Sequence, residues 1–254
     1  MKRIAALFYG TLCYLIFFGT FIYAIGFVAN IGVPKSIDSG ASGDIWPALI
    51  INLGLLALFG LQHSVMARPA FKRWWTRLVP DHVERSTYVL ASSLALIVLF
   101  WQWRPLTGSV WNITTEPYHT LLWVACGLGW ALVLVSTFMI SHAHLFGVRQ
   151  VADYFGRKTP TQPGFQTPGL YRQMRHPIMT GFLIAFWATP DMTTGHLLFA
   201  VVTTAYILVA LQFEERDLIA AFGERYQRYR EHVPMFFPRL MPGVNADTKK
   251  EVNN

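Results

Sequence analysis

Arg175-His176-Pro177 opens a short apolar run, and Glu214-Glu215 close the apolar run that follows it; Gly223, Tyr226, Tyr229, Pro234 and Pro238 come next. Proline suits the first helical position because its missing N–H would have no partner there, so a helix is expected to start at residue 177 or 178. The free N–H groups and the dipole of such a start favour an anion. The Arg175 guanidinium adds a planar fork matched to a carboxylate. Glu214 and Glu215 diverge by ~100° on a helix, so one can face inward, toward an ammonium or hydroxyls, while the other faces an arginine. Tyr226 and Tyr229, three apart, can border a flat or cationic group. Each residue also has a plainer reading, since charged and aromatic residues gather at membrane interfaces as anchors.

A second group lies upstream. The string Ser141-His142-Ala143-His144-Leu145-Phe146-Gly147-Val148-Arg149-Gln150, then Asp153-Tyr154, leads into a Gly/Pro-rich stretch ending at Gly169-Leu170-Tyr171-Arg172. A helix connection of this length is commonly functional; a lid without a ligand is the alternative. Histidine transfers protons near neutral pH, which nominates His63, His142, His144 and Tyr154, with His144 and then His63 favoured and Arg149 as an electrostatic alternative. His142 and His144 are two apart and point to different helix faces. No HExxH or cysteine cluster accompanies them, so no metal is expected.

These residues must be positioned by membrane helices. The chain has 254 residues, 53% of them hydrophobic and 14% charged, poorer in charge than an ordinary soluble domain. Runs from Ile4 to Val28, Trp46 to Met66, Thr87 to Trp103, and Thr120 to Ile140 match the roughly 17–25 residues that cross a bilayer. The run from Ile178 to Thr189 is too short to cross unaided, whereas Leu197 to Phe213 is just long enough. The expected fold is all-α: a polytopic bundle of five or six membrane helices whose C-terminal helical hairpin returns both its ends to one face. One domain is expected over 1–243, with a mobile polar tail over 244–254.

Charge orients the bundle. All but Lys35 and Arg104 of the 21 lysines and arginines fall on one side of this topology, which by the positive-inside tendency is cytoplasmic, as are both termini. The net charge of +7 is therefore a topology signal in contact with membrane lipid rather than a nucleic-acid footprint. Cys13 and Cys126 lie inside apolar runs and suit packing. The N-terminal run is too long for a signal-peptide core and reads as a retained anchor. Paired repeats and midplane charges, the marks of a transporter, do not occur.

The ordered string from 169 to 240 resembles the C-terminal half of the isoprenylcysteine carboxyl methyltransferase superfamily of membrane methyltransferases. The resemblance implies S-adenosylmethionine as methyl donor in a cytoplasmic-face pocket, with Tyr171, Arg175, His176, Gly181, Glu214, Glu215, Tyr226 and Tyr229 as the binding set. His176-Pro177-Ile178-Met179-Thr180-Gly181 departs from the superfamily's His-Pro-x-Tyr-x-Gly at Met179, which puts a prenyl-cysteine or phospholipid acceptor in question. Gln62-His63-Ser64-Val65-Met66-Ala67-Arg68, Glu84-Arg85-Ser86-Thr87-Tyr88-Val89-Leu90 and Phe146-Gly147-Val148-Arg149-Gln150 look like a bacterial branch holding methanethiol S-methyltransferases and NnrU-like proteins. That branch implies a bacterial inner-membrane enzyme converting methanethiol to dimethyl sulfide. The alternatives are an NnrU-like binding or assembly protein, or methyl transfer to another small or lipid-like acceptor.

Overall fold

The structure is a computed structural model that describes residues 1–40, 43–159 and 164–238. The expected tail over 244–254 and part of the Gly/Pro-rich stretch, residues 160–163, lie outside the described residues. Five helices are long and apolar enough to cross a membrane: α1 (Lys2–Ala29), α2 (Ile45–Ala67), α4 (Asp81–Gln102), α5 (Tyr118–Ile140) and α9 (Thr194–Phe222). Between them lie α3 (Pro69–Trp75), α6 (His142–Leu145), α7 (Val148–Phe155) and the 11-residue α8 (Pro177–Trp187), and α10 (Glu224–His232) follows. The chain is an integral membrane bundle. Ile4, Phe8, Ile50, Leu61, Leu128 and Phe138 turn outward, an apolar belt that water would penalise and hydrocarbon accepts.

Three boundaries differ from the sequence expectation for identifiable reasons. α4 starts at Asp81 rather than Thr87, because its first turn carries Asp81, Glu84 and Arg85 outside the apolar run. α9 runs on past Glu214 and Glu215 to Phe222, so hydropathy marked where lipid ends and not where the helix ends. α8 stops at Trp187, and Pro190 precedes a three-residue strand, β2 (Asp191–Thr193), which pairs antiparallel with β1 (Ser109–Asn112). This two-stranded ribbon was not expected. It stitches the α4–α5 connection to the α8–α9 turn, helped by the Trp111 indole, which donates to the Thr189 carbonyl at 3.0 Å.

The core sits where α1, α4, α5, α8 and α9 converge, around Phe27, Phe100, Trp103, Trp130, Phe186 and Phe199. At about 1.5 Å per residue, α8 is too short to span a bilayer and lies against α5. A Cβ on Gly129 would stand 2.7 Å from the Ala185 nitrogen, and one on Gly181 2.7 Å from the Gly129 carbonyl oxygen. Small residues that let backbones approach are a usual means of packing helices in lipid, where apolar side chains gain little from each other.

The two ends of the bundle differ. At one end Arg68 pairs with Asp217 at 2.9 Å, Lys72 with Glu84 at 3.2 Å, and Arg85 donates to the Leu145 carbonyl at 2.8 Å. Gly147 (φ 80°) turns the chain there, where a Cβ would come within 2.6 Å of the Ser86 nitrogen. At the other end, fully buried Asn52 donates to the Arg104 carbonyl and accepts from the Arg104 N–H, at 2.8 and 2.9 Å.

Candidate functional site

The start of α8 and the last turns of α9 meet at the charged end. Glu215 is buried and its Oε1 accepts from Arg175 Nε at 2.7 Å and lies 3.0 Å from His176 Nε2. Two charge-capable donors on one carboxylate oxygen fix the register between two helices whose residues are distant in sequence. Removing the carboxylate would leave a buried guanidinium uncompensated, the costly way to break such a pair. His176 is the N-cap of α8 and Pro177 occupies its first turn, as the sequence requires.

The segment after α10 closes over this junction. Arg175 Nη1 donates to both the Arg230 and Val233 carbonyls, at 3.0 and 2.6 Å. The Arg175 and His176 backbone N–H groups donate to Pro234 and Met235, and the Thr180 hydroxyl donates to Phe236. Arg175 Nη1 and the backbone N–H groups of Arg175 and His176 are thus engaged by the protein's own carbonyls. Arg175 acts as a clamp that holds residues 230–236 against α8.

Capacity for a ligand remains elsewhere in the same cluster. Among the described residues, Glu215 Oε2 pairs only with Arg230, at 4.0 Å. Glu214 is exposed, forms no ion pair among the described residues, and lies within electrostatic reach of Tyr88, Tyr171, Tyr206 and Tyr226. Tyr226 is 2% exposed, yet its hydroxyl has no hydrogen-bond partner among the described residues, a rare condition for a buried donor. Tyr229 donates to the Tyr171 carbonyl at 2.5 Å. Burial holds the Tyr171, Tyr226 and Tyr229 hydroxyls well above the ordinary phenol pKa, so they act as neutral donors. An acidic group for an ammonium, hydroxyl donors and adjacent aromatic faces suit a nucleoside joined to an amino acid.

Phe165 completes that wall and was not legible as a site residue. It packs edge-on against Tyr226 and Tyr229, with centroids at 5.8 and 5.3 Å, and Arg225 stands 5.4 Å over its ring. Gly181 belongs to the α5–α8 crossing described above, where close packing accounts for it, rather than to this wall.

The four residues nominated for proton transfer separate. His63, on α2, joins Tyr88 and Ser92 of α4: its Nδ1 lies 3.1 Å from Ser92 Oγ, and the Tyr88 hydroxyl is 2.9 Å from Nε2. Exposed Arg149 pairs with buried Asp153 at 2.9 Å along α7. Tyr154 stacks on His82 at 3.7 Å, with Arg3 nearby. Both belong to the seat of α7 on α1 and α4. His144 lies on α6, one residue before the Leu145 carbonyl that accepts from Arg85. Its neighbour His142 is held structurally: Thr137 and Tyr14 hydroxyls meet its two nitrogens at 2.8 and 2.9 Å, its ring stacks on Phe138 at 4.2 Å, and burial lowers its pKa. Tyr88, Arg85 and Tyr206 were missed as site residues, because in sequence they are ordinary members of helix ends and apolar runs.

The chain is similar to known proteins along most of its length. Residues 124–225 match the family model described as phospholipid methyltransferase. A methanethiol S-methyltransferase of Mycobacterium tuberculosis is 54% identical over 94% of this chain and 98% of its own length. One of Crocosphaera subtropica is 52% identical over 94% of this chain and 93% of its own length. Nurim of Xenopus laevis is 30% identical over 81% of this chain and 79% of its own length. No solved structure matches. With half its residues shared across nearly full length, and the charged cluster at one end of a polytopic bundle, the chain belongs to the methanethiol S-methyltransferase family.

Proposed function

We propose that this protein methylates methanethiol to dimethyl sulfide, with S-adenosylmethionine as donor, through a single domain over 1–243 in a bacterial inner membrane. The observation that carries this reading is the cluster of α8 and α9 ends around Glu215, in which Glu214, Glu215 Oε2 and the Tyr226 hydroxyl keep unused hydrogen-bonding capacity. The start of α1 and this cluster share the basic end of the bundle, the end expected to face the cytosol where the donor is made, and both termini are assigned to that side.

When bound, S-adenosylmethionine supplies a methyl group made electrophilic by its sulfonium charge. The protein's own part is mostly positioning. Glu214 and the open oxygen of Glu215 would hold the ammonium or ribose hydroxyls, His176 would border them, and Tyr226 would donate its hydroxyl. Phe165, Tyr226 and Tyr229 would flank the base. Arg175 keeps Glu215 in register rather than gripping the ligand itself. Because the wall between the helices is apolar, a cation and a thiolate are poorly solvated there and are favoured to combine.

Purified protein incubated with methanethiol and methyl-labelled donor is expected to release labelled dimethyl sulfide. Calorimetry that detects no donor binding, with no volatile label released, overturns the reading.

A further inference from the structure

A polar cluster separate from the Arg175–Glu215 pair lies between α2, α4 and α9. Ser92 Oγ donates to the Tyr88 carbonyl at 3.1 Å, so it accepts from His63 Nδ1–H. A neutral imidazole carries one N–H and one lone pair, which leaves Nε2 as the acceptor, and the Tyr88 hydroxyl lies over the ring at 2.9 Å from Nε2 and 3.0 Å from Nδ1. Phe59 stacks on the other side of the ring at 5.3 Å. Arg85 lies 4.8 Å over the Tyr88 ring and is fixed by the Leu145 carbonyl. Across from them on α9, the Tyr206 hydroxyl meets Ser64 Oγ at 3.1 Å.

Ionisable groups inside membrane helices are expensive and are retained where they serve a function. This group is tied to the donor cluster by Glu214, one residue from Glu215: its charge reaches Tyr88 and Tyr206 on one side and Tyr171 and Tyr226 on the other. Glu214 stands on α9, which carries Tyr206 of this cluster and Glu215 of the donor cluster. The donor side is rich in groups for a large polar ligand. The other side offers a base, a hydroxyl and a nearby positive charge within apolar walls, which suits a small thiol.

We propose that Tyr88 and His63, beneath the Arg85 guanidinium, form the acceptor subsite that removes the thiol proton. The inference rests on the methyl-transfer reading above. The thiol gives its proton to the Tyr88 oxygen as the Tyr88 hydroxyl proton passes to His63 Nε2. The sulfur lone pair so released forms the new carbon–sulfur bond, the methyl–sulfonium bond breaks with its electron pair left on the departing sulfur, and the imidazolium then yields its proton to water. Arg85 favours the thiolate electrostatically. Tyr88 is the group that touches substrate, and His63 acts through it.

The test uses full-length protein with Tyr88→Phe and His63→Asn, which preserve much of each shape. At about pH 7 turnover is expected to fall about 10²–10⁴-fold, the usual contribution of general acid–base catalysis, while donor affinity by calorimetry and thermal stability stay near wild type. An alkyl thiol ionises at or above the ~8.5 of a cysteine, so the deficit should shrink as pH rises toward that range and thiolate forms unaided. The charged and titratable groups facing the pair are Arg85, Arg68, Glu214 and Tyr206; Arg85→Gln should raise the pH at which rescue appears. Wild-type turnover in both variants overturns the proposal. So does a deficit that is constant with pH, or one that tracks lost donor affinity, since either assigns the pair to packing. Wild-type protein that neither binds donor nor releases dimethyl sulfide would instead remove the underlying functional reading.

Discussion

The two ends of the bundle differ in how fully their polar groups are engaged. At the end carrying the β1–β2 ribbon, side chains mostly stitch backbone: Asn52 to Arg104, Trp103 to Ile37, Trp111 to Thr189. His196 departs from this, with Nδ1 unpartnered among the described residues. At the basic end, side chains meet both other side chains and backbone carbonyls, and several keep unused capacity among the described residues: Glu214, the second oxygen of Glu215, and the Tyr226 hydroxyl. A saturated end contributes stability and geometry. An end with spare donors and acceptors is ready to gain partners when a ligand arrives. The same polytopic scaffold therefore separates structural from ligand-binding polarity along its long axis.

The sharpest way to break this contrast is Glu215→Ala. It strands Arg175 and His176, and breaking a buried pair costs about 3–5 kcal/mol. Thermal unfolding should show that loss and calorimetry should show donor binding abolished; a variant with intact stability and affinity would dissolve the distinction between the ends. Asn52→Ala is the matched change at the other end. It leaves the Arg104 N–H and carbonyl without partners, a loss of about 1–3 kcal/mol, with turnover per folded molecule and donor affinity unchanged. Reduced donor affinity there would mean that the ends are not functionally separate.

Tyr226→Phe should have a smaller effect. Its hydroxyl has no hydrogen-bond partner among the described residues, so stability should hold or rise, while donor affinity falls by the ~0.5–1.5 kcal/mol of one hydrogen bond. Equal affinity would remove Tyr226 from the pocket. The smallest effect concerns pH. Burial raises the pKa of Tyr171, Tyr226 and Tyr229 in the folded protein, so the unfolded chain loses these protons first, near the ordinary value of about 10. Their contribution to stability is fully present below that pH and is lost as pH rises through the folded values. Unfolding followed in alkaline buffer should therefore show a decline that starts above about pH 10 and is weaker in Tyr226→Phe.

Much of this was legible from local signals. Continuous apolar runs marked the crossing helices, lysine and arginine asymmetry grouped their ends, and Pro177 marked the start of α8. Because an apolar hairpin returns its ends to one face, Arg175 and Glu215 were expected near each other. Other features were hidden because they depend on register between distant helices. Gly181 reads as part of a motif, yet its place is set by Gly129 across a helix crossing. Arg175 reads as an anion fork, yet the carbonyls of 230 and 233 engage it. Tyr88 gains meaning only opposite His63, on another helix.

The sequence alone determined that the chain is a membrane bundle with one basic end, because transfer energies and charge asymmetry are nearly additive along the chain and need no knowledge of contacts. Tertiary structure decided which of two adjacent glutamates is buried, which histidine meets a hydroxyl, and which arginine is already occupied. Those outcomes turn on helix rotation and spacing at the scale of a hydrogen bond, which only packing between remote segments can fix.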